Sequence, residues 1–143
     1  MLIGIAPLLT ADLLHALAAM GHGDTIALVD ANYPATRARR TLDLAGADVV
    51  QALRAVLSLL PLDSFVPEPA CVMQVVGDPR AAPPVFDEMN RALADHGHKS
   101  AATAERQAFY AAAERAYVIV RTGERRFYGN ILLTKGVLPP EST

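Results

Sequence analysis

Tryptophan is absent from the 143 residues, and cysteine occurs once. The lone Cys71 excludes an intrachain disulfide and fits a reducing compartment. It lies in the apolar run 70–76 and reads as a small core residue. Charge is scarce as well. Charged residues make up 20%, the net charge is −2 and the pI is near 6.0. That balance, without aromatic and basic residues interleaved, excludes nucleic acid as an expected partner. Arg37-Ala38-Arg39-Arg40 is the exception, and it reads as a solvated loop or an ion-pairing group. No apolar stretch is long enough to cross a membrane. No charged segment precedes Pro7, so the start does not read as a signal peptide. The expectation is a cytoplasmic, soluble protein.

Several chemical signatures are missing too. There is no Gly-x-Ser-x-Gly elbow. Gly21-His22-Gly23 lacks the spacing and the lysine of a phosphate loop. His96 and His98 flank Gly97 without a matching ligand cluster, so no metal is expected, and nothing calls for a cofactor.

What is abundant is apolar surface, at 52% hydrophobic residues. The length suits one domain, taken as residues 1–143, with a core large enough to need no staples. A small domain cannot hide that much apolar surface alone, so part of it is expected in subunit contacts.

Hydrophobic spacing and capping residues divide the chain. Thr10 caps a helix bearing Leu13, Leu14, Leu17 and Met20 on one face, and Gly21 stops it. Thr25 to Val29 reads as a buried strand ending at Asp30. Residues 31–46 look irregular. Asp48 caps a second helix, which Pro61 closes. Ala70 to Val76 reads as a strand and Pro84 to Asp95 as a third helix. Thr103 is a candidate cap for a fourth. Tyr117 to Val120 and Phe127 to Leu133 read as strands of a hairpin about Thr122-Gly123-Glu124. The alternation predicts an α/β fold of three layers, with helices around a mixed sheet.

Few residues are placed for chemistry. His22 can titrate near neutrality, and its flanking glycines permit tight turns and close ligand approach. It reads equally as a plain turn histidine. Asp30 closes an apolar strand, where a carboxylate faces a pocket or satisfies the N–H groups of the next turn. Arg106 falls in the first turn of a helix, a slightly unfavourable place for a cation, so a ligand or carboxylate could hold it. It also reads as a surface arginine. Tyr128 and Asn130, two apart in a strand, would share one face as hydrogen-bonding groups or simply face water.

Longer stretches carry a resemblance. They are Pro7-Leu8-Leu9, 19–24 with Met20-Gly21-His22-Gly23-Asp24, Val29-Asp30-Ala31-Asn32-Tyr33-Pro34-Ala35, Phe109-Tyr110, Thr122-Gly123-Glu124-Arg125, and 128–137 beginning Tyr128-Gly129-Asn130. Together the chain resembles the sugar mutarotase family of L-fucose mutarotase and D-ribose pyranase, closer to the fucose branch. The likeness spans nearly the whole chain. It implies His22 as proton donor and Asp30, Arg106, Tyr128, Gly129 and Asn130 as sugar-binding residues. It also implies a ring-shaped homo-oligomer, often a decamer. The chain departs at Asn32, where fucose-branch members commonly carry histidine, which leaves the sugar open.

The implied reaction interconverts α and β anomers of a monosaccharide by general acid–base ring opening and closure. The alternatives are ribose pyranase activity and a non-catalytic sugar-binding accessory of a transport operon. Proton transfer would come from His22. Water or Tyr128 would take the anomeric proton. Eight residues separate His22 from Asp30, up to about 26 Å if extended, far longer than a monosaccharide. A neighbouring subunit is therefore expected to close the pocket, through its Tyr128–Asn130 strand.

Overall fold

Local capping works as the sequence leads one to expect. In the computed structural model, which describes residues 1–141, the Thr10 side chain accepts from the Leu13 N–H and starts α1 (Ala11–Ala19). Asp48 and Gln51 form a reciprocal capping box at the head of α2 (Val49–Leu57). Pro84 opens α3 (Pro84–Asp95), where a missing N–H costs nothing. The fourth helix, α4 (Arg106–Glu114), corrects the reading of Thr103. Its cap is Glu105, whose carboxylate accepts from the N–H groups of Gln107 and Ala108. Thr103 instead lies in a short strand.

The strands are β1 (Thr25–Val29), β2 (Thr41–Leu44), β3 (Ala70–Met73), β4 (Ala102–Ala104), β5 (Val118–Thr122) and β6 (Ile131–Thr134). They form one sheet in the order β2-β5-β1-β6-β3-β4. β1 pairs parallel with β5, β5 with β2, and β3 with β4. Only β6 runs against its neighbours, antiparallel to β1 and to β3. The expected hairpin is therefore absent: β1 lies between β5 and β6, and the two never pair. The region 31–46 is also more ordered than expected, with a 3-10 turn (Ala35–Arg37) and the edge strand β2. β3 stops at Met73, three residues short of the expected end.

Alternation along each strand sorts the core into two halves. Ile26 and Leu28 of β1, with Val118, Val120, Ile131 and Leu133, pack against α1, α2 and α3. Ala27, Val29 and Ile119 face the other way, onto Phe109 and Ala113 of α4 and onto Tyr33. Helices thus cover both faces of the mixed sheet, giving the three-layer α/β arrangement. No helix among the described residues is long and apolar enough to cross a membrane.

This topology sets up the two edges that matter. The carboxyl ends of β1, β3, β4 and β5 share one edge, where the chain enters β6. The opposite edge gathers the start of β1 and the end of β6.

Candidate functional site

Asp30 follows the last residue of β1 and is buried. Its backbone N–H donates to Asn130 Oδ1 at 2.8 Å, and its own Oδ1 accepts the Asn32 N–H at 2.9 Å. Burial pushes the Asp30 carboxyl above its ordinary range. The Asn32 N–H and the Asn130 side chain pull the other way, and the nearby Glu124 charge adds to the rise. Asn130 is itself buried and leads directly into β6.

Tyr128 is not in a strand, so the expected shared strand face with Asn130 does not exist. Its backbone is left-handed, φ 65°, a conformation that costs a residue with a side chain about 1–2 kcal/mol. The turn aims the phenol across the edge, where Tyr128 Oη accepts the Val76 N–H at 3.1 Å. The hydroxyl hydrogen is left to donate elsewhere. Gly129 between the two is buried, and a Cβ there would stand 2.7 Å from Glu124 Cγ. Glycine is the residue that fits.

Arg106 begins α4 just beyond β4, with its side chain exposed. Asp30, Arg106, Tyr128 and Asn130 line one open cavity of about 250 Å³, together with Asn32 and Tyr110. Tyr33 stacks edge-on against Tyr110, ring centroids 5.3 Å apart, and stiffens the wall. Burial, then the neighbouring Tyr110, pushes the Tyr33 phenol upward, so it stays neutral. Val76 and Phe127 form an exposed apolar rim. One chain thus supplies the whole polar cluster. That corrects the expectation that the Tyr128–Asn130 segment comes from a neighbour.

His22 stands apart from this cavity, on the opposite edge. Gly23, at φ 87°, turns the chain there, and its N–H donates to the Lys135 carbonyl at 2.9 Å. Lys135 Nζ donates to the carbonyls of Leu17 and Met20, tying the end of α1 to the end of β6. His22 Nε2 lies 3.0 Å from Asp63 Oδ1, with the imidazole half exposed and Asp63 buried. Phe65 packs its ring 5.6 Å from the imidazole and is itself exposed. The Phe65 N–H, followed by His22, holds the Asp63 carboxyl below its ordinary value against the opposing effect of burial.

Asp63 was not among the residues singled out from the sequence, and neither were Asn32 as a wall residue or Glu124. Asp63 lies 41 positions from His22. The available signal was an aspartate after the apolar run Leu59-Leu60-Pro61-Leu62, a place for a side chain that accepts the N–H two residues on.

A carboxylate, a carboxamide, a phenol and a guanidinium around a cavity too small for most drug-sized ligands, which need about 300–1,000 Å³, define a site for a small polar molecule. It sits at the carboxyl edge of a largely parallel sheet, where α/β domains hold their ligands.

The chain belongs to the RbsD / FucU transport protein family, whose sequence pattern matches residues 3–138. It is 41% identical to the fucose mutarotase of Bos taurus over 145 residues, covering 96% of this chain and 95% of that one. The crystal structure of the fucose mutarotase from Streptococcus pneumoniae in complex with L-fucose superposes with a TM-score of 0.91. The identity there is 38%, over 96% of this chain and 100% of the other. Bacillus subtilis RbsD complexed with D-ribose has a TM-score of 0.78 at 19% identity, over 96% and 99% of the two chains, and shares the fold.

Proposed function

We propose that this protein is a cofactor-independent fucose mutarotase, a single-domain isomerase that exchanges the α and β anomers of L-fucose or a close relative. The observation that carries the reading is the convergence of Asp30, Arg106, Tyr128 and Asn130 on one sugar-sized cavity. The full-length similarity to proteins named fucose mutarotase supports it.

The chemistry asks little. The ring oxygen gains a proton, the anomeric hydroxyl loses one, and the open aldehyde rotates before closing. General acid–base assistance contributes roughly 10²–10⁴-fold. Asp30 accepts from sugar hydroxyls, the Tyr128 hydroxyl and the Asn130 amide donate or accept, and Arg106 closes the mouth as a cation. Because Tyr128 Oη already takes the Val76 N–H, Tyr128 serves as a donor, and water at the open mouth takes the anomeric proton.

His22 is the proton donor, delivered by a second subunit. β1 separates it from Asp30 by five strand residues, about 17 Å at 3.3 Å per residue. Its imidazole is half exposed and backed by Asp63, which orients the ring. Exposed Phe65 beside His22 matches the exposed Val76 and Phe127 around the cavity as apolar contact surface. A decameric ring satisfies every such pair. The lone free Cys71 suits a cytoplasmic setting.

Saturation-transfer NMR on L-fucose, D-ribose and D-galactose tests the reading. Exchange fastest with L-fucose is expected. Sugar binding without exchange of any of the three would instead favour the accessory role.

A further inference from the structure

The segment between β5 and β6 contains neither helix nor strand, yet it must place Tyr128 and Asn130 to within fractions of an ångström. One side chain inside it makes an unusual number of bonds. Glu124 is 4% exposed. Its Oε2 accepts the N–H groups of Arg125 and Arg126 at 3.0 and 3.3 Å. Its Oε1 accepts Arg126 Nε and Nη2 at 3.2 and 2.8 Å. The remaining arm of Arg126 pairs with Glu88 on α3.

The rest of Glu124 faces β1. Its carbonyl accepts the Ala31 N–H at 2.8 Å, next to Asp30. Its N–H donates to Thr122 Oγ1, which in turn donates to the Val29 carbonyl at 2.8 Å. Its Cγ lies beneath Gly129, so close that a Cβ there would sit 2.7 Å away. A buried carboxylate is costly unless its oxygens are occupied, and here four N–H donors from two residues occupy them. Burial works against its charge, and Arg126 more than offsets that, so the carboxyl is held below its ordinary range.

We propose that Glu124 is the positioning residue of the sugar pocket, setting where Tyr128 and Asn130 stand relative to Asp30. It touches no sugar. It acts through the main chain of 125–129 on one side and of 29–31 on the other. The proposal rests on the sugar-site reading above, and it separates two properties. Glu124 governs the grip on the sugar, at one edge of the sheet. The proton donor comes from the other edge of a second subunit, which Glu124 does not hold.

The test is Glu124→Gln in the intact oligomer, read in two ways. In steady-state anomer exchange of L-fucose, KM rises about tenfold while kcat stays within about twofold. A merely structural role would lower the folded fraction, and so the apparent kcat, at unchanged KM. In amide hydrogen exchange, the Val76 and Asp30 N–H groups, held by Tyr128 Oη and Asn130 Oδ1, lose protection while those of Leu28 and Val120 keep theirs. If Glu124→Gln does not fold, Arg126→Met carries the same two expectations. An unchanged KM, or wild-type protection at both amides, overturns the assignment. A wild-type protein that exchanges no sugar defeats the sugar-site reading instead, and the amides then decide the positioning role alone.

Discussion

The two edges of the sheet differ in how they are finished. At the carboxyl edge, Asn130 accepts from the Asp30 N–H and Tyr128 from the Val76 N–H, stacked tyrosines form a wall, and these residues surround a cavity. At the amino edge, His22 is held by one carboxylate and otherwise faces outward beside an exposed phenylalanine. The first edge surrounds a cavity whose lining holds no histidine. The second presents a half-exposed imidazole that lines none of that cavity. Each has what the other needs, and β1 is too stiff to bring them together within one chain.

The division makes sharp demands. His22→Ala should slow L-fucose anomer exchange by roughly 10²–10⁴-fold while leaving sugar binding nearly intact, since the cavity's own lining is unchanged. Saturation transfer and a binding titration on the same sample check both halves. Mixing His22→Ala with Asp30→Asn subunits should restore about a quarter of wild-type exchange after reassembly, because one site in four then pairs an intact donor with an intact pocket. No recovery would mean that each chain is self-sufficient, and the contrast between edges would lose its functional meaning.

Asp63→Asn should cost about tenfold or more in kcat with little change in KM, the mark of an orienting acid behind a histidine. It also has a pH signature. The Asp63 carboxyl lies below 3.8 in the folded chain, so its stabilising contribution is complete above that value and is lost as pH falls through the lower folded one. The gap in Tm between wild type and Asp63→Asn should therefore be present at neutrality and close in acid. The smallest effect is expected from Gly129→Ala. Its methyl meets Glu124 Cγ and should cost about 1–3 kcal/mol in chemical denaturation, with weaker sugar binding and an unchanged His22 edge.

Much of this was readable along the chain, for a definite reason. Thr10 and Asp48 cap helices through bonds that reach three residues, so the local sequence contains both partners. The strand Thr25–Val29 followed by Asp30 was equally plain. Most of the errors involve partners distant in sequence. β5 and β6 look like a hairpin because they are neighbours along the chain, yet β1, about 90 residues earlier, separates them. Tyr128 looks like a strand residue until its left-handed backbone is seen. Glu105 displaced Thr103 as a cap because β4 uses Thr103 for pairing with β3.

By itself, then, the order of residues determined the helices, the strand that ends in an acid and the glycine-flanked imidazole, because each depends on contacts within a few positions, and it carried the family likeness along nearly its whole length. Only the tertiary structure decided that the acid and the imidazole occupy opposite edges, that Asp63 backs one and Glu124 braces the other. Those facts follow from sheet order, and sheet order depends on which apolar faces pack together across the whole chain.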